Sequence, residues 1–329
     1  MTFTFQGLRR WCRVWGIGLL LTGCAPATDM ELIRVWSHQG QEAENRAMRA
    51  IADAFNEAHA DQQLKVQLTF FPDHQYTEKI SIAAAANDLP DALGIDGPTL
   101  AQFVDAGLLA PLDPYFDDEE LADFLPTIVA QGTINDTLYA LGAFDSAMVL
   151  YYDKTRLAAA NVQPPPRGTA WTWAEFVDAC RALKAAGDDL GVMPLPRTGD
   201  VPAAACGSWC WAISARTPRR DAAAQWLRWV THPEHGIQPI VAAGGAVPAR
   251  RSALPFFPEY EEDPWRLFME LLEAHGRPRP QTPFYPNLTQ HFAAAVRDIA
   301  RGADPQTRLD RAAEAVQRII DRQTGTTEP

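Results

Sequence analysis

The chain of 329 residues is poor in several features that mark large protein classes. Positive charge is scarce: 29 Lys and Arg stand against 41 Asp and Glu, a net charge of -12. Without a cationic footprint for phosphate contacts, nucleic acid is excluded as an expected partner, and so is electrostatic docking on anionic lipid. Long apolar runs are missing; none reaches the roughly 18 residues of a membrane-spanning helix. Cysteine is sparse, with five in all. No Gly-x-Ser-x-Gly elbow, His-Glu-x-x-His pair, phosphate loop or dinucleotide fingerprint occurs, and no motif calls for a cofactor. His232-Pro-Glu-His235 holds two imidazoles, but at a helix-ending proline with no third ligand nearby, so a metal is not expected. What remains is a folded globular composition, 47% hydrophobic and 21% charged, long enough for two domains.

The first 23 residues read as an address. Arg9, Arg10 and Arg13 form a basic region, Val14 to Leu21 a short apolar one, and Leu21-Thr22-Gly23-Cys24 follows. This resembles the bacterial lipobox. The resemblance implies cleavage before Cys24, acylation of its sulfur and freed amine, and stable membrane anchoring by more than one chain. The alternative is an ordinary secretory signal with a chance cysteine. Beyond Cys24 only Cys180, Cys206 and Cys210 remain, an odd number that excludes a complete disulfide framework. Cys180 shares a helix face with Phe176 and Leu183 and reads as core. A Cys206–Cys210 disulfide stays open after export, although an extended 206–210 segment would hold the two cysteines too far apart to bridge.

Periodicity then sets the order of elements. Strands are expected at Glu31–Trp36, Leu64–Phe71 and Asp91–Ile95, alternating with helices at Gln41–His59, Tyr76–Asn87 and Pro98–Ala106, the last stopped by Gly107. That alternation argues for a mostly parallel sheet covered by helices. One helix is expected over Asp117–Ala130, and an extended crossing segment over Leu138–Tyr152. Thr172 and Glu175 form a capping box for a helix over Trp173–Ala186. Strands at Asp189–Pro196 and Trp209–Ser214 precede helices at Arg219–Thr231, Asp263–Ala274, Asn287–Arg301 and Pro305–Arg322.

Several segments taken in order resemble the extracellular solute-binding proteins of ABC transporters, in the branch of maltose-binding protein. They include Val35-Trp36-Ser37-His38, Asp88-Leu89-Pro90-Asp91-Ala92 with Asp96-Gly97-Pro98, and Ala106 to Leu112. Trp171-Thr172-Trp173, Pro194-Leu195-Pro196, Gly207-Ser208-Trp209-Cys210-Trp211, Ala246 to Arg250, and Arg279-Pro280 with Thr282-Pro283 and Tyr285 continue the match. The resemblance implies an α/β, two-lobe periplasmic-binding-protein type II fold with an interlobe cleft and a hinge. It places residues 30–143 plus 210–250 in an N-terminal lobe and 144–209 plus 255–329 in a C-terminal lobe. The second lobe is shortened. Near 187–190 the helix ending at Gly187 runs almost directly into Leu190, where on the order of 90–100 residues of lobe would be expected. A lobe lacking that layer should expose sheet or core surface.

A sugar offers hydroxyls and apolar C–H faces, so its site needs acids or amides and aromatic rings. At strand ends and crossing segments stand Trp36, His38, Asp96, Phe144, Asp145, Ser146, Trp209, Trp211 and Tyr285. Asp96 and Asp145 are expected as hydroxyl acceptors, Trp209 and Tyr285 as stacking faces. The plain readings stay open beside these: Asp96 as a helix cap, Trp36 or Trp211 as core, His38 as a solvated loop residue. The function implied is a lipid-anchored sugar receptor that closes on its ligand and serves a membrane permease. Two rivals remain: a shortened relative without binding activity, and a periplasmic carbohydrate-active enzyme that uses two carboxylates.

Overall fold

The structure is a computed structural model that describes residues 30–166, 169–183, 190–194 and 204–325. The signal segment, Cys24 and the junction at 187 lie outside the described residues. In chain order the elements used below are β1 (Glu31–Gln39), α1 (Glu42–Ala58), β2 (Leu64–Pro72), α2 (Asp73–Ala85), β3 (Ala92–Asp96), α3 (Pro126–Gly132), β4 (Ala140–Gly142), β5 (Phe144–Asp145) and β6 (Val149–Asp153). They continue with α4 (Lys154–Ala159), α5 (Trp173–Ala182), β7 (Leu190–Pro194), β8 (Ala204–Cys206), β9 (Trp209–Ile213), α6 (Arg220–Val230), β10 (Val247–Pro248), α7 (Trp265–His275), β11 (Gly276–Pro278), α8 (Tyr285–Ala300) and α9 (Pro305–Thr324).

The first lobe is a five-stranded sheet in the order β2-β1-β3-β9-β4. β1, β2 and β3 run parallel, and β9 returns antiparallel to both β3 and β4. Both faces are covered. On one side α1 turns Met48, Ile51, Ala52 and Phe55 inward at helical spacing, against Ile33, Val35, Trp226 and Leu227. On the other, Tyr76, Ile80, Leu100 and Phe103 pack on Leu93, Ile95, Cys210 and Ala212. A strand buried on both faces loses its polar alternation, which explains the near-continuous apolar run of β3. Each fully buried Phe or Ile here contributes about 1.5–3 kcal/mol.

Two expectations are corrected. The helix over Asp117–Ala130 is two helices, Asp118–Asp123 and α3. Pro126 lacks an N–H and forces extended backbone on the residue before it, so Phe124 and Leu125 break the run. The assignment of 255–329 to the second lobe also changes. Met269 and Leu272 of α7 are buried in the same core as Ile33 and Phe55 of the first lobe, because the helix turns its apolar face that way.

The second lobe, within the described residues, is small. β6 pairs antiparallel with β7, from Val149 opposite Pro194 to Asp153 opposite Leu190, beside α4 and α5. The capping box forms as expected: Thr172 Oγ1 accepts from Glu175 N at 3.2 Å, and Glu175 Oε2 accepts from Thr172 N at 2.6 Å. An apolar cavity of about 320 Å³ opens between β6, α4 and α5. Cys180, read as core, is exposed at its wall. Its helical face was read correctly, but no covering layer is present among the described residues. Cys206 and Cys210 are buried free thiols. The helices α8 and α9 pack on one another, and α9 has no buried residue.

Candidate functional site

Three strand ends meet at one edge of the first sheet: the carboxyl ends of β1 and β3, and the start of β9, where Trp209 stands opposite Asp96. Trp209 therefore lies in the first lobe's sheet, not in the second lobe. The imidazole of His38 stacks on its indole, with centroids 3.6 Å apart and 9° between planes. His38 Nε2 lies 3.4 Å from Glu44 Oε1 in the first turn of α1. The hydrogen bond from His38 holds the Glu44 carboxyl below its ordinary value, against the opposing effect of burial.

A ladder of rings leads away from Trp209. Tyr76 follows at 5.7 Å, Phe71 at 6.1 Å from Tyr76, and Trp36 at 4.7 Å from Phe71. Residues of β1, β2, the first turn of α2 and β9 thus make one aromatic wall. Beside it Arg279, just after β11, donates from Nη2 to Asp96 Oδ1 at 3.2 Å. Asp96 stands at a helix start but its side chain caps nothing. Burial pushes the Asp96 carboxyl up, with Arg279 pulling the other way. Both partners remain about a third exposed, at 34% and 37% of the side chain, so the pair faces solvent. Gly207 lies against the Arg279 guanidinium, so a Cβ there would push that side chain aside.

Asp145 and Ser146 have a different task from the one expected. Asp145 is fully buried. Its Oδ2 accepts from Thr127 Oγ1 at 2.6 Å and Gln131 Nε2 at 3.2 Å, both on α3. Its Oδ1 accepts from the backbone N–H groups of Ser146 at 2.8 Å and Gly207 at 3.2 Å. Ser146 Oγ donates to the Gly207 carbonyl at 2.6 Å, and Ser208 N donates to Gln131 Oε1 at 3.0 Å. The carboxylate pins the outgoing and returning crossing segments to α3, which is a hinge task with no acceptor capacity left for a ligand. Burial raises its pKa and the four donors oppose that rise.

Trp211 is core, 6% exposed and edge-on to Trp226 at 5.7 Å, two residues further into the sheet than Trp209. Phe144 is half-buried on β5, opposite Pro248 of β10, and packs on the same core. Tyr285 opens α8, which rests against the turn at residues 97–99 beside Asp96. The structure therefore gathers Trp36, His38, Asp96 and Trp209, with Tyr285 on a neighbouring helix, and removes Trp211, Phe144, Asp145 and Ser146 to core and hinge. Sequence reasoning missed Glu44, Phe71, Tyr76 and Arg279. Phe71 and Tyr76 carry a signal, being aromatic at a strand end and in a first helical turn. Arg279 stood in a segment quoted for the resemblance, but nothing in sequence pointed to its partner, 183 positions away.

Residues 39–191 match the family model of the bacterial extracellular solute-binding protein. A candidate binding protein of Brucella abortus is 23% identical over 185 residues, 56% of this chain and 44% of that protein. The chain thus matches less than half the length of that curated relative. The fold is that of the two-lobe substrate-binding proteins. The sugar-binding protein MalE of Xanthomonas citri superposes with a TM-score of 0.73 at 17% identity, over 91% of this chain and 100% of that one. An ABC substrate-binding protein of Listeria monocytogenes, in complex with cycloalternan, gives 0.72 at 13% identity, over 89% and 99%. The family and these similar structures are of binding proteins.

Proposed function

We propose that this chain is the substrate-binding lipoprotein of a carbohydrate ABC importer, anchored outside the cytoplasm through Cys24. Its ligand is a mono- or oligosaccharide, passed to the transmembrane subunits of a permease. The observation that carries the reading is the row of partly buried rings Trp36, Phe71 and Trp209, backed by the buried Tyr76, beside the Asp96–Arg279 pair, about a third exposed. Rings suit the C–H faces of a sugar, and a carboxylate with a guanidinium suits its hydroxyls as acceptor and donor. The sugars bound by proteins of similar fold agree with it.

A thermal melt against a panel of mono- and oligosaccharides tests the reading. A sugar at 100 times its dissociation constant adds about 2.7 kcal/mol to the native state. Trp209→Ala should abolish that shift. A sharp melt that no sugar moves would overturn the proposal and favour the reading of a shortened relative without binding activity, which the uncovered cavity of the second lobe supports.

A further inference from the structure

Gly207 and Ser208 link β8 to β9, and three other segments meet at this short stretch. The outgoing crossing runs along one edge of it. Ala147 bridges Cys206, the Met148 N–H donates to the Ala205 carbonyl at 3.1 Å, and Ser146 Oγ donates to the Gly207 carbonyl at 2.6 Å. Along the other edge β11 pairs parallel with β8, Pro278 opposite Cys206, so Arg279 stands level with Gly207. One residue further on, the Ser208 carbonyl accepts from the N–H of Gly97, the residue after Asp96, at 3.0 Å. The Asp96–Arg279 pair therefore spans Gly207. Arg279 is carried by the segment paired with Cys206, Asp96 by the segment bonded to Ser208.

We propose that Gly207 is a positioning residue of the candidate site: it seats the Arg279 guanidinium against Asp96 and ties that pair to the crossing segments. The seat is the missing side chain. A Cβ on Gly207 would overlap Arg279 Nη2 and lie 3.0 Å from its Cζ, so the guanidinium occupies the space that any other residue would fill. The tie is the peptide itself. The Gly207 N–H donates to Asp145 Oδ1 at 3.2 Å and its carbonyl accepts from Ser146, both on the outgoing crossing. Asp145 is in turn fixed to α3 by Thr127 and Gln131. A displacement of the crossing segments thus moves the seat, and with it the donor and acceptor offered to a ligand. The role in ligand capture rests on the sugar-binding reading above; the placement of Arg279 does not.

Carbon-13 NMR titration of the Asp96 carboxyl in the full chain tests the proposal without any sugar. Arg279 holds this carboxyl down against burial; Asp73 and His38 also act on it, Asp73 upward and His38 downward. In Gly207→Ala the new Cβ moves the guanidinium, so the Asp96 pKa should rise, as it should in Arg279→Ala. The Gly207 backbone lies outside the left-handed region and the obstruction is the end of a flexible side chain, so the variant should fold. Ser146→Ala leaves the seat open and cuts only the bond to the Gly207 carbonyl. The Asp96 pKa should then move the same way by less. Calorimetry with a sugar that wild type binds should give roughly tenfold weaker affinity in Gly207→Ala, the worth of one charge-assisted hydrogen bond, at a nearly unchanged melting temperature. An Asp96 pKa that Gly207→Ala leaves as in wild type would overturn the proposal. So would one that shifts there but stays fixed in Ser146→Ala. A wild type that binds no sugar overturns the ligand reading instead, and the titration still decides this one.

Discussion

The imidazole of His38 lies flat on the indole of Trp209, 3.6 Å between centroids, and joins the first strand of the sheet to the strand that returns from the second lobe. His38 reaches Glu44 with its other edge. The stack is thus both a packing contact and one end of the candidate site. A double-mutant cycle on His38→Ala and Trp209→Ala should return a coupling of about 0.5–1.5 kcal/mol in unfolding free energy, the usual worth of a stacked pair. A coupling near zero would show that the rings are neighbours without being partners.

Asp96 and Arg279 should separate binding from stability. Each is a third exposed, so the pair is worth less than about 1 kcal/mol to the fold. Asp96→Asn should leave the melting temperature nearly unchanged while weakening sugar binding by roughly 10- to 100-fold, the loss of one or two charge-assisted hydrogen bonds. Calorimetric titration reads the second effect and a thermal melt the first.

Asp145 should behave in the opposite way. Replacing it with Asn removes a buried charge, but the amide nitrogen would then face at least one group that can only donate, Gln131 Nε2 on one side or the Ser146 and Gly207 N–H groups on the other. Orphaned buried donors cost about 1–3 kcal/mol each, so Asp145→Asn should be strongly destabilising in a denaturant titration.

Two carboxyls predict opposite pH limbs. Glu44 is held below its ordinary 4.5. Its contribution is full above that value and is lost as pH falls through the lowered folded value, so Glu44→Gln should flatten the acid limb of stability. Asp145 is raised above 3.8, so the native state keeps its proton longer. Stability should fall as pH rises from 3.8 to that raised value, then level off. Melts of wild type, Glu44→Gln and Asp145→Asn across pH 3–7 separate the two.

Thr172→Ala removes one half of the capping box of α5. It should cost about 1 kcal/mol. Hydrogen exchange should place the loss in α5 and the adjoining β6, with the first-lobe sheet unaffected.

Local signals made much of this legible. The alternation of β1, α1, β2, α2 and β3 follows from hydrophobic period, and Thr172 with Glu175 marks its helix start without help from tertiary structure. Trp36, His38, Asp96 and Trp209 were singled out as ends of expected strands, and the structure brings them close together, although β1 runs on past Trp36 to Gln39. What failed depended on distant partners. Nothing near Asp145 in sequence shows that α3 and Gly207 supply its four donors. Trp211 differs from Trp209 only in lying two residues deeper, under Trp226. Cys180 sits on the apolar side of its helix, yet apolar spacing does not say whether anything covers that side.

The slot of β9 in the sheet sets an order of events in synthesis. Its strand lies between β3 and β4 in the sheet of the first lobe, yet it leaves the ribosome more than a hundred residues after β3. Until Trp209–Ile213 appears, β3 and β4 present open edges with no neighbour to pair. The five-stranded sheet therefore cannot be completed in a nascent fragment that ends before Trp209, and it closes late on a long-range contact.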